Sequence, residues 1–359
     1  MSAVSSSTSG STPSAVTSQN ASASSSVSVL STSGATAQSG EIAQKSAQEF
    51  NVSSSSSSTA AQVIQAEVIA KLSQESQYIR DILGTKPFVI DTTKAQQLTK
   101  LLGNDTDKLL RYLVPFARPF ARPPISNYHV GAAAMGKSGT IYLGVNLEFV
   151  GFPLNAAVHG EQFLLANARS HGETELTAIA VSAAPCGHCR QFLNEIEAAD
   201  ALKIMFQTSK SGKKATDVST NLARLLPESF GPQDLGIKGG LLTPVAFPKS
   251  TNRDPLTAKA IDAAHASYAP YTKILSGVAI KTKDGKMYSG SSLENAAFNP
   301  SLSPLQAALV CLVVDMRKYD EISEVVLAET QGTKASQVGS TQELLKSIAP
   351  GAQFRLEKL

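Results

Sequence analysis

Two parts of this chain have similar sequences at a spacing of 146 residues, which limits the folds that the chain can adopt. In one ungapped register, identities run from Gly131 and Gly277 to Glu175 and Glu321. Between these ends the matching pairs are Tyr142 with Tyr288, Gly144 with Gly290, Leu147 with Leu293, Glu148 with Glu294 and Phe152 with Phe298. So many identities in a single register indicate an internal duplication. We therefore expect two copies of one fold.

The order of predicted elements in the first copy favours an α/β fold. Short apolar strands are predicted at 129–135, 140–145, 177–183 and 202–206, with helices at 157–170 and 186–198. Strands that alternate with helices are typical of a layered domain, so we predict a three-layer α-β-α fold, duplicated. Upstream, apolar residues recur at helical spacing over 60–83 and 93–114, and Pro115 is expected to end the second of these helices.

Composition divides the 359-residue chain into five parts. Residues 1–58 are rich in Ser, Thr and Ala and are predicted to form a disordered tail. A helical N-terminal segment (59–120) precedes the first copy (121–230), and a linker (231–253) leads to the second copy (254–359). The alternative for the tail is an organelle-targeting peptide, but it lacks an Arg-bearing amphipathic face. We expect a cytoplasmic protein.

Charge and cysteine content exclude several kinds of partner and site. The formal net charge is only +3, from 32 Lys and Arg against 29 Asp and Glu, which argues against a nucleic-acid-binding surface. Three cysteines are too few for a disulfide framework, and a Cys-x-x-Cys pair without a secretory signal is typical of metal or redox chemistry. No apolar run approaches the ~20 residues of a membrane span.

Four residues of chemical interest are confined to the first copy. In the ungapped register they align with residues of other types: His159 with Leu305, Glu161 with Ala307, Cys186 with Gly332 and Cys189 with Ala335. Residues that the fold requires should recur in both copies, so the loss of these four indicates a role in chemistry. The second copy is therefore expected to be catalytically inactive.

His159, Cys186 and Cys189 form a candidate zinc site. One imidazole and two thiolates are natural zinc ligands, and three protein ligands leave the fourth tetrahedral position open for water. Both cysteines lie at a predicted helix start, where unpaired N–H groups and the helix dipole favour the thiolate form. Zinc can lower the pKa of a bound water from 15.7 to about 7, which makes hydroxide available at neutral pH.

Glu161 is the candidate proton shuttle of this site. It lies only two residues from His159, so it is poorly placed as a further ligand but can reach a bound water. His-x-Glu followed by Pro-Cys-x-x-Cys is the known signature of zinc nucleobase deaminases, in which hydroxide attacks the base and the Glu moves the protons.

Other interpretations of the Cys-x-x-Cys pair remain open. The pair could be half of a structural zinc site or a redox pair, and His188 could compete with His159 as a ligand. Arg190 is interpreted as a hydrogen-bond donor to the thiolates, in preference to an ordinary surface residue. Cys311 lies in an apolar helical stretch and is interpreted as a core residue.

The sequence resembles a cytidine deaminase of the homodimeric type, in which a degenerate domain follows a zinc-bearing one. Four stretches carry the resemblance, which extends over most of residues 60–359: 124–128 (PISNY), 144–148 (GVNLE), 185–191 (PCGHCRQ) and 293–298 (LENAAF). The resemblance implies that Asn146 and Glu148 bind the ribose 3′-hydroxyl and that the Tyr128 ring packs near the pyrimidine. It also implies that Ala297 and Phe298 of the partner subunit help to close the site.

One position departs from the usual family pattern. Gly160 stands where the family more often has alanine, which adds backbone freedom at the helix start but removes no functional group.

These observations predict zinc-dependent hydrolytic deamination of cytidine, and of 2′-deoxycytidine, to the uridine product and ammonia, as in pyrimidine salvage. Glu148 would accept a hydrogen bond from a free 3′-hydroxyl and would repel a phosphodiester, so a free nucleoside is favoured over a polynucleotide. Two alternatives stay open. One is a deaminase of another base or of a nucleotide, and the other is a regulatory protein that kept zinc but lost activity.

Overall fold

The computed structural model describes residues 77–208, 215–332 and 334–359. The predicted tail (1–58) and most of the first predicted helix lie outside these residues, and residues 77–83 are helical. Within the described ranges, no helix combines the length and apolar character needed to cross a membrane.

A mixed six-stranded sheet lies at the centre of the first copy. Its strands are β1 (Val89–Ile90), β2 (Gly131–Gly136), β3 (Ile141–Val145), β4 (Leu176–Val181), β5 (Lys203–Thr208) and β6 (Thr216–Asn221). They lie in the order β1-β3-β2-β4-β5-β6. β4 and β5 are parallel, and every other neighbouring pair is antiparallel.

Two glycines allow helices to lie closely against opposite faces of this sheet. The helices of this half are α1 (Thr92–Leu101), α2 (Thr106–Ala117), α3 (Gly160–Ser170), α4 (Gly187–Leu193) and α5 (Leu222–Leu225). A Cβ at Gly131 would lie 2.4 Å from the carbonyl oxygen of Val114 in α2, and one at Gly144 would lie 2.3 Å from that of Gly160 in α3. Gly144 pairs with the neighbour of Gly131, so the two glycines face opposite sides. The predicted three-layer arrangement is confirmed.

The second copy repeats this arrangement. Strands β7 (Ser276–Thr282), β8 (Met287–Ser291), β9 (Ile322–Glu329) and β10 (Gln353–Lys358) lie in the order β10-β9-β7-β8. Its helices are α6 (Pro255–His265), α7 (Pro304–Val314) and α8 (Val338–Ile348). A Cβ at Gly277 would lie 2.1 Å from the amide nitrogen of Ala264 in α6, and one at Gly290 would lie 2.1 Å from that of Ala308 in α7. The duplication is confirmed.

The register between the copies shifts by two residues at the central helix. In the strands the offset is 146, because Gly131 pairs with Val145 and Gly277 with Ser291. In the helix the offset is 144, because Gln162 and Gln306 hold the same capping position. The ungapped alignment is therefore wrong here: the structural counterpart of His159 is Ser303, and that of Glu161 is Leu305. Both chemical residues are still absent from the second copy.

Two predicted helices have different boundaries in the structure. The helix expected over 93–114 is divided into α1 and α2, because Gly103 and Asn104 adopt left-handed φ angles of 81° and 62°. Pro115 does not end α2, which continues to Ala117. Proline removes only its own N–H from the helix, and apolar residues on both sides of it bury α2 against the sheet.

The helix predicted over 186–198 ends early, at Leu193. Just beyond it, the buried Glu195 accepts hydrogen bonds from the Tyr268 and Tyr271 hydroxyls of the second copy, at 2.8 and 2.7 Å. The chain therefore leaves the helix to meet the other copy. Phe192 in α4 is fully buried.

The two copies meet at α3 and α7, and two glutamines make reciprocal contacts there. Gln162 accepts from the backbone N–H of His159 (3.1 Å) and donates through Nε2 to the Pro300 carbonyl of the second copy (2.9 Å). Gln306 accepts from the Ser303 N–H (2.8 Å) and donates to the Ala156 carbonyl of the first (2.6 Å). Each helix start is thus tied to the opposite copy.

We predict that Gly277→Ala destabilises the fold, because its Cβ would meet backbone atoms that cannot move independently. Overpacking of this kind costs about 3 kcal/mol of unfolding free energy. Gly339→Ala in α8 is the matched control, since no atom lies within 4 Å of its added Cβ. Urea denaturation measures both variants. Equal midpoints for the two would contradict the close approach of β7 and α6.

Candidate active site

Three predicted ligands meet where α3 and α4 begin. His159 immediately precedes α3 and Cys186 immediately precedes α4, while Cys189 lies one turn into α4. His159 Nδ1 lies 3.5 Å from the Cys186 Sγ and 3.4 Å from the Cys189 Sγ. The candidate ligand atoms all lie within 4.8 Å of one another, and the described residues contain no other such group. One nitrogen and two sulfurs are a donor set that suits zinc.

The contacts among these three side chains shift the pKa of each of them. The hydrogen bond between the two cysteines lowers the pKa of the Cys186 thiol to about 3, and the contact with His159 contributes. The same cysteine contact and burial raise the pKa of Cys189, while the contact with Cys186 raises that of His159. Metal ligation needs thiolates and a neutral imidazole, so zinc binding here must displace protons.

Glu161 occupies a buried position in the first turn of α3. Its exposed fraction is 4%, and burial raises the pKa of its carboxyl above the usual range. The carboxyl also interacts with the Cys189 sulfur, which places it beside the ligand group. Its counterpart Leu305 is buried as a plain apolar side chain. The fold therefore does not need a carboxyl at this position.

His188 and Arg190 lie beside the two cysteines, and neither contacts them as a ligand or as a hydrogen-bond donor. His188 is not in the ligand group, and its ring stacks on that of His159 with centroids 4.8 Å apart. The prediction that Arg190 donates to the thiolates is wrong. Arg190 donates to the carbonyl oxygens of Pro185 and Leu225, each at 2.8 Å, because its side chain points back past the start of α4 and toward α5.

Asn146 and Tyr128 lie together at the entrance to β2. Asn146 accepts from the Val130 N–H and donates to the Tyr128 carbonyl, both at 2.9 Å. An amide oxygen has two acceptor positions and an amide nitrogen two donors, so Asn146 keeps one of each for a ligand. The Tyr128 side chain is 56% exposed.

Glu148 is held by the loop that precedes β2. It accepts from the backbone N–H groups of Ile125 and Ser126 at 2.9 Å and from the Ser126 hydroxyl at 2.5 Å. Partial burial acts to raise its pKa, but these hydrogen bonds and the nearby His129 outweigh burial and lower it. A carboxylate has about four acceptor positions, so one remains for a hydroxyl donor.

The same carboxylate arrangement occurs in the second copy. Glu294 accepts from the N–H groups of Tyr271 (2.9 Å) and Thr272 (3.2 Å) and from the Thr272 hydroxyl. Because Glu294 lies in a copy without the ligand group, these bonds serve the fold in both copies. Glu148 thus has a structural role in addition to the predicted one.

Sequence reasoning missed three residues that hold the site in place: Ser126, Gln162 and Glu195. The repeat contained a signal for two of them, since Ser126 aligns with Thr272, another hydroxyl, and Gln162 with Gln306 once the two-residue shift is allowed. Glu195 carried no such signal, because its partners lie in the other copy.

Comparisons with known proteins agree with this geometry. Residues 104–205 and residues 222–342 match two family models, each described as the cytidine and deoxycytidylate deaminase zinc-binding region. A cytidine deaminase from Vibrio vulnificus is 41% identical over 262 residues, which covers 73% of this chain and 86% of that protein. One from Yersinia pestis is 41% identical over 271 residues, which covers 75% and 90%.

A solved cytidine deaminase structure from Mycobacterium tuberculosis overlaps one third of the chain. It is 29% identical, covers 34% of this chain and 96% of that one, and has a TM-score of 0.29. The family assignment rests on the long relatives and on both family models. This chain belongs to the zinc-dependent cytidine deaminase family.

Proposed function

We propose that this protein deaminates cytidine and 2′-deoxycytidine hydrolytically, producing the uridine product and ammonia, in cytoplasmic pyrimidine salvage. The observation that carries the proposal is the meeting of His159, Cys186 and Cys189 beside a buried Glu161. Free nucleosides are its substrates, and nucleic acids are not.

The residues of this site divide into metal ligands and a proton carrier. His159, Cys186 and Cys189 would hold a zinc ion, which would act as a Lewis acid and activate water at neutral pH. Glu161 accepts the proton of that water and passes it to the ring nitrogen of the base while carbon 4 is attacked. It then takes the proton of the new hydroxyl on carbon 4 and delivers it to the amino group, which leaves as ammonia while carbon 4 becomes a carbonyl. Burial raises its pKa toward neutrality, where a carboxyl both accepts and donates protons efficiently.

Asn146 and Glu148 recognise the ribose in this proposal, and the exposed Tyr128 ring lies near the pyrimidine. Asn146 retains a free donor and a free acceptor, and Glu148 retains one acceptor position, which suits a 3′-hydroxyl. A phosphate at the same place would meet the Glu148 charge. This preference for an unphosphorylated 3′ position supports a nucleoside as substrate.

The roles of ligand and proton carrier are separated by two substitutions. We expect Cys189→Ser to lose both zinc and activity, and Glu161→Gln to retain zinc while kcat for cytidine falls by roughly 10²–10⁴. Cys311→Ser, outside the ligand group, is the control. Elemental analysis measures zinc, and ammonia release measures turnover. Near-normal turnover by Glu161→Gln would refute the mechanism.

The ribose contact is tested with the two equivalent glutamates. Glu148→Gln and Glu294→Gln weaken the same kind of loop contact, so both should lower thermal stability by a similar amount. Only Glu148→Gln is expected to raise KM for cytidine, by about tenfold, because it weakens a hydrogen bond from the 3′-hydroxyl to a charged acceptor. Steady-state kinetics with cytidine and 3′-deoxycytidine measure this. A KM that changes equally in both variants would show a structural effect only.

We further propose a homodimer in which Ala297 and Phe298 of the partner subunit close each site. Phe298 is 64% exposed and has a left-handed φ of 59°, a costly conformation for a bulky residue. The large apolar side chains Ile125, Val150 and Leu154 are also exposed. Exposed apolar side chains of this kind are typical of protein contact surfaces.

The dimer proposal predicts complementation between two weak variants. Glu161→Gln and Phe298→Ala should each be poorly active alone. A heterodimer of the two contains one intact site, built from Glu161 of one subunit and Phe298 of the other. Mixing under conditions of subunit exchange should restore activity, and light scattering should give a dimeric mass. Activity that is only the average of the two variants would contradict a shared site.

A further inference from the structure

A large cavity lies between the two copies, and none of the proposed zinc ligands lines it. Its volume is about 950 Å³, within the usual range of ligand sites. The second copy contributes strand β8 and parts of α6 and α7 to its lining, and the first copy contributes Lys86, Val89 and the end of α3. β8 is the outermost strand of its sheet, so one edge of its backbone is unpaired among the described residues.

In the first copy, the equivalent place is filled by the chain itself. The segment 88–90 lies along β3, with Val89 opposite Tyr142 and Ile90 opposite Ile141. The Phe88 carbonyl accepts hydrogen bonds from the Leu143 N–H and the Asn167 side chain, both at 2.9 Å.

The Phe88 ring fills the space beneath this short strand. Its centroid lies 5.6 Å from that of Phe120 and 5.1 Å from that of Phe163, and the side chain is 1% exposed. Residues 88–90 therefore cover the edge of the first sheet and fill the hole beside it.

The second copy has the equivalent sheet edge and hole, but no described segment of the chain covers them as residues 88–90 do in the first copy. With the offset of 146 in the strands and 144 in the helix, the cavity is lined by the counterparts of that surface: Ala266 for Phe120, Ala307 for Phe163, Ser289 for Leu143, Cys311 for Asn167, Tyr288 for Tyr142 and Met287 for Ile141. Two phenylalanines have become alanines, which creates the room. In the first copy the Leu143 N–H donates to the Phe88 carbonyl. The N–H of its counterpart, Ser289, has no acceptor among the described residues.

The charges around this cavity are mainly positive. Lys86, Lys249 and Lys286 pair with the two acidic residues of the lining, Asp262 and Asp315. Among the described residues, the Ala266 carbonyl is the one hydrogen-bond acceptor of Arg169, at 2.7 Å. Lys259 has no ion pair or hydrogen bond to a described residue. An occupant with carboxylate groups would therefore meet unpaired positive charge.

We propose that this cavity is a docking site for an extended acidic peptide of a partner protein, which adds as a strand to β8. A large apolar side chain of the peptide fills the hole between Ala266 and Ala307, and a carboxylate pairs with Arg169 or Lys259. Main-chain hydrogen bonds give such strand addition its affinity, and side-chain pockets give it specificity. A small anion would leave both the alanine-lined hole and the strand edge uncovered.

The probe is a labelled hexapeptide, EPFVID, which carries residues 87–91 of this chain behind a glutamate. Fluorescence anisotropy should show saturable binding. Alanine in place of the phenylalanine, or lysines in place of both acids, should weaken binding about tenfold or more. Failure of EPFVID to bind at about 1 mM would overturn the proposal.

Variants of the protein test each part of the site. Ser289→Pro removes an outward N–H from the strand edge, and Ala266→Phe restores the ring of the first copy, so each should abolish binding. Lys259→Glu should weaken EPFVID and favour the lysine-flanked peptide, whereas Lys281→Glu, an exposed lysine outside the lining, should change neither. Unchanged cytidine deamination shows that each variant is folded.

Three results would contradict strand addition. Equal binding to Ser289→Pro and to the unmodified protein would exclude the strand edge. Displacement of the peptide by tripolyphosphate alone would indicate an anion site. Dissociation of the protein into monomers by Ser289→Pro would assign β8 to contacts between copies of this chain.

Discussion

The active-site helix depends on one pair of reciprocal contacts between the two copies. Gln162 holds the backbone of His159 with its carbonyl oxygen and reaches the second copy with its amide nitrogen. The start of α3, which carries both His159 and Glu161, is therefore positioned from outside its own domain. Gln306 makes the mirror contact from α7. A copy without chemistry has a physical reason to persist, because it fixes the geometry of the copy that has it.

Comparison of the two copies separates the needs of folding from those of chemistry. Ser303 caps α7 with its hydroxyl, which accepts from the Gln306 N–H, and serine is among the best residues for that position. At the same place in the first copy, the His159 ring is directed at two sulfurs. Leu305 likewise shows that an apolar residue suits the position of Glu161. The first copy therefore departs from the residue types that favour local structure at the two positions that hold His159 and Glu161.

Local patterns in the sequence correctly predicted that His159, Cys186 and Cys189 lie together, but they predicted long-range contacts poorly. The ligand group and the layered fold followed from motif spacing and alternation, which depend on near neighbours. The register error at α3 arose because a shortened loop and a lengthened turn compensate, which leaves the strands in phase on both sides. The prediction for Arg190 was wrong because one of its acceptors, the Leu225 carbonyl, is distant in sequence. The turn at Gly103 and the continuation of α2 through Pro115 could not be predicted, because both depend on how the helices pack against the sheet.

The amino-acid sequence is sufficient to show that the chain is duplicated and that His159, Glu161, Cys186 and Cys189 occur only in the first copy. Each conclusion rests on residue type and spacing, which the chain displays directly. The folded structure was needed to show that Glu148 and Glu294 make the same fold-supporting contact and that the second copy holds the start of α3. It also decided that alanines leave a cavity where the first copy inserts Phe88. These features depend on contacts between segments that are distant in sequence. Hydrophobic burial brings such segments together, and because it is non-directional no local sequence pattern identifies the partners.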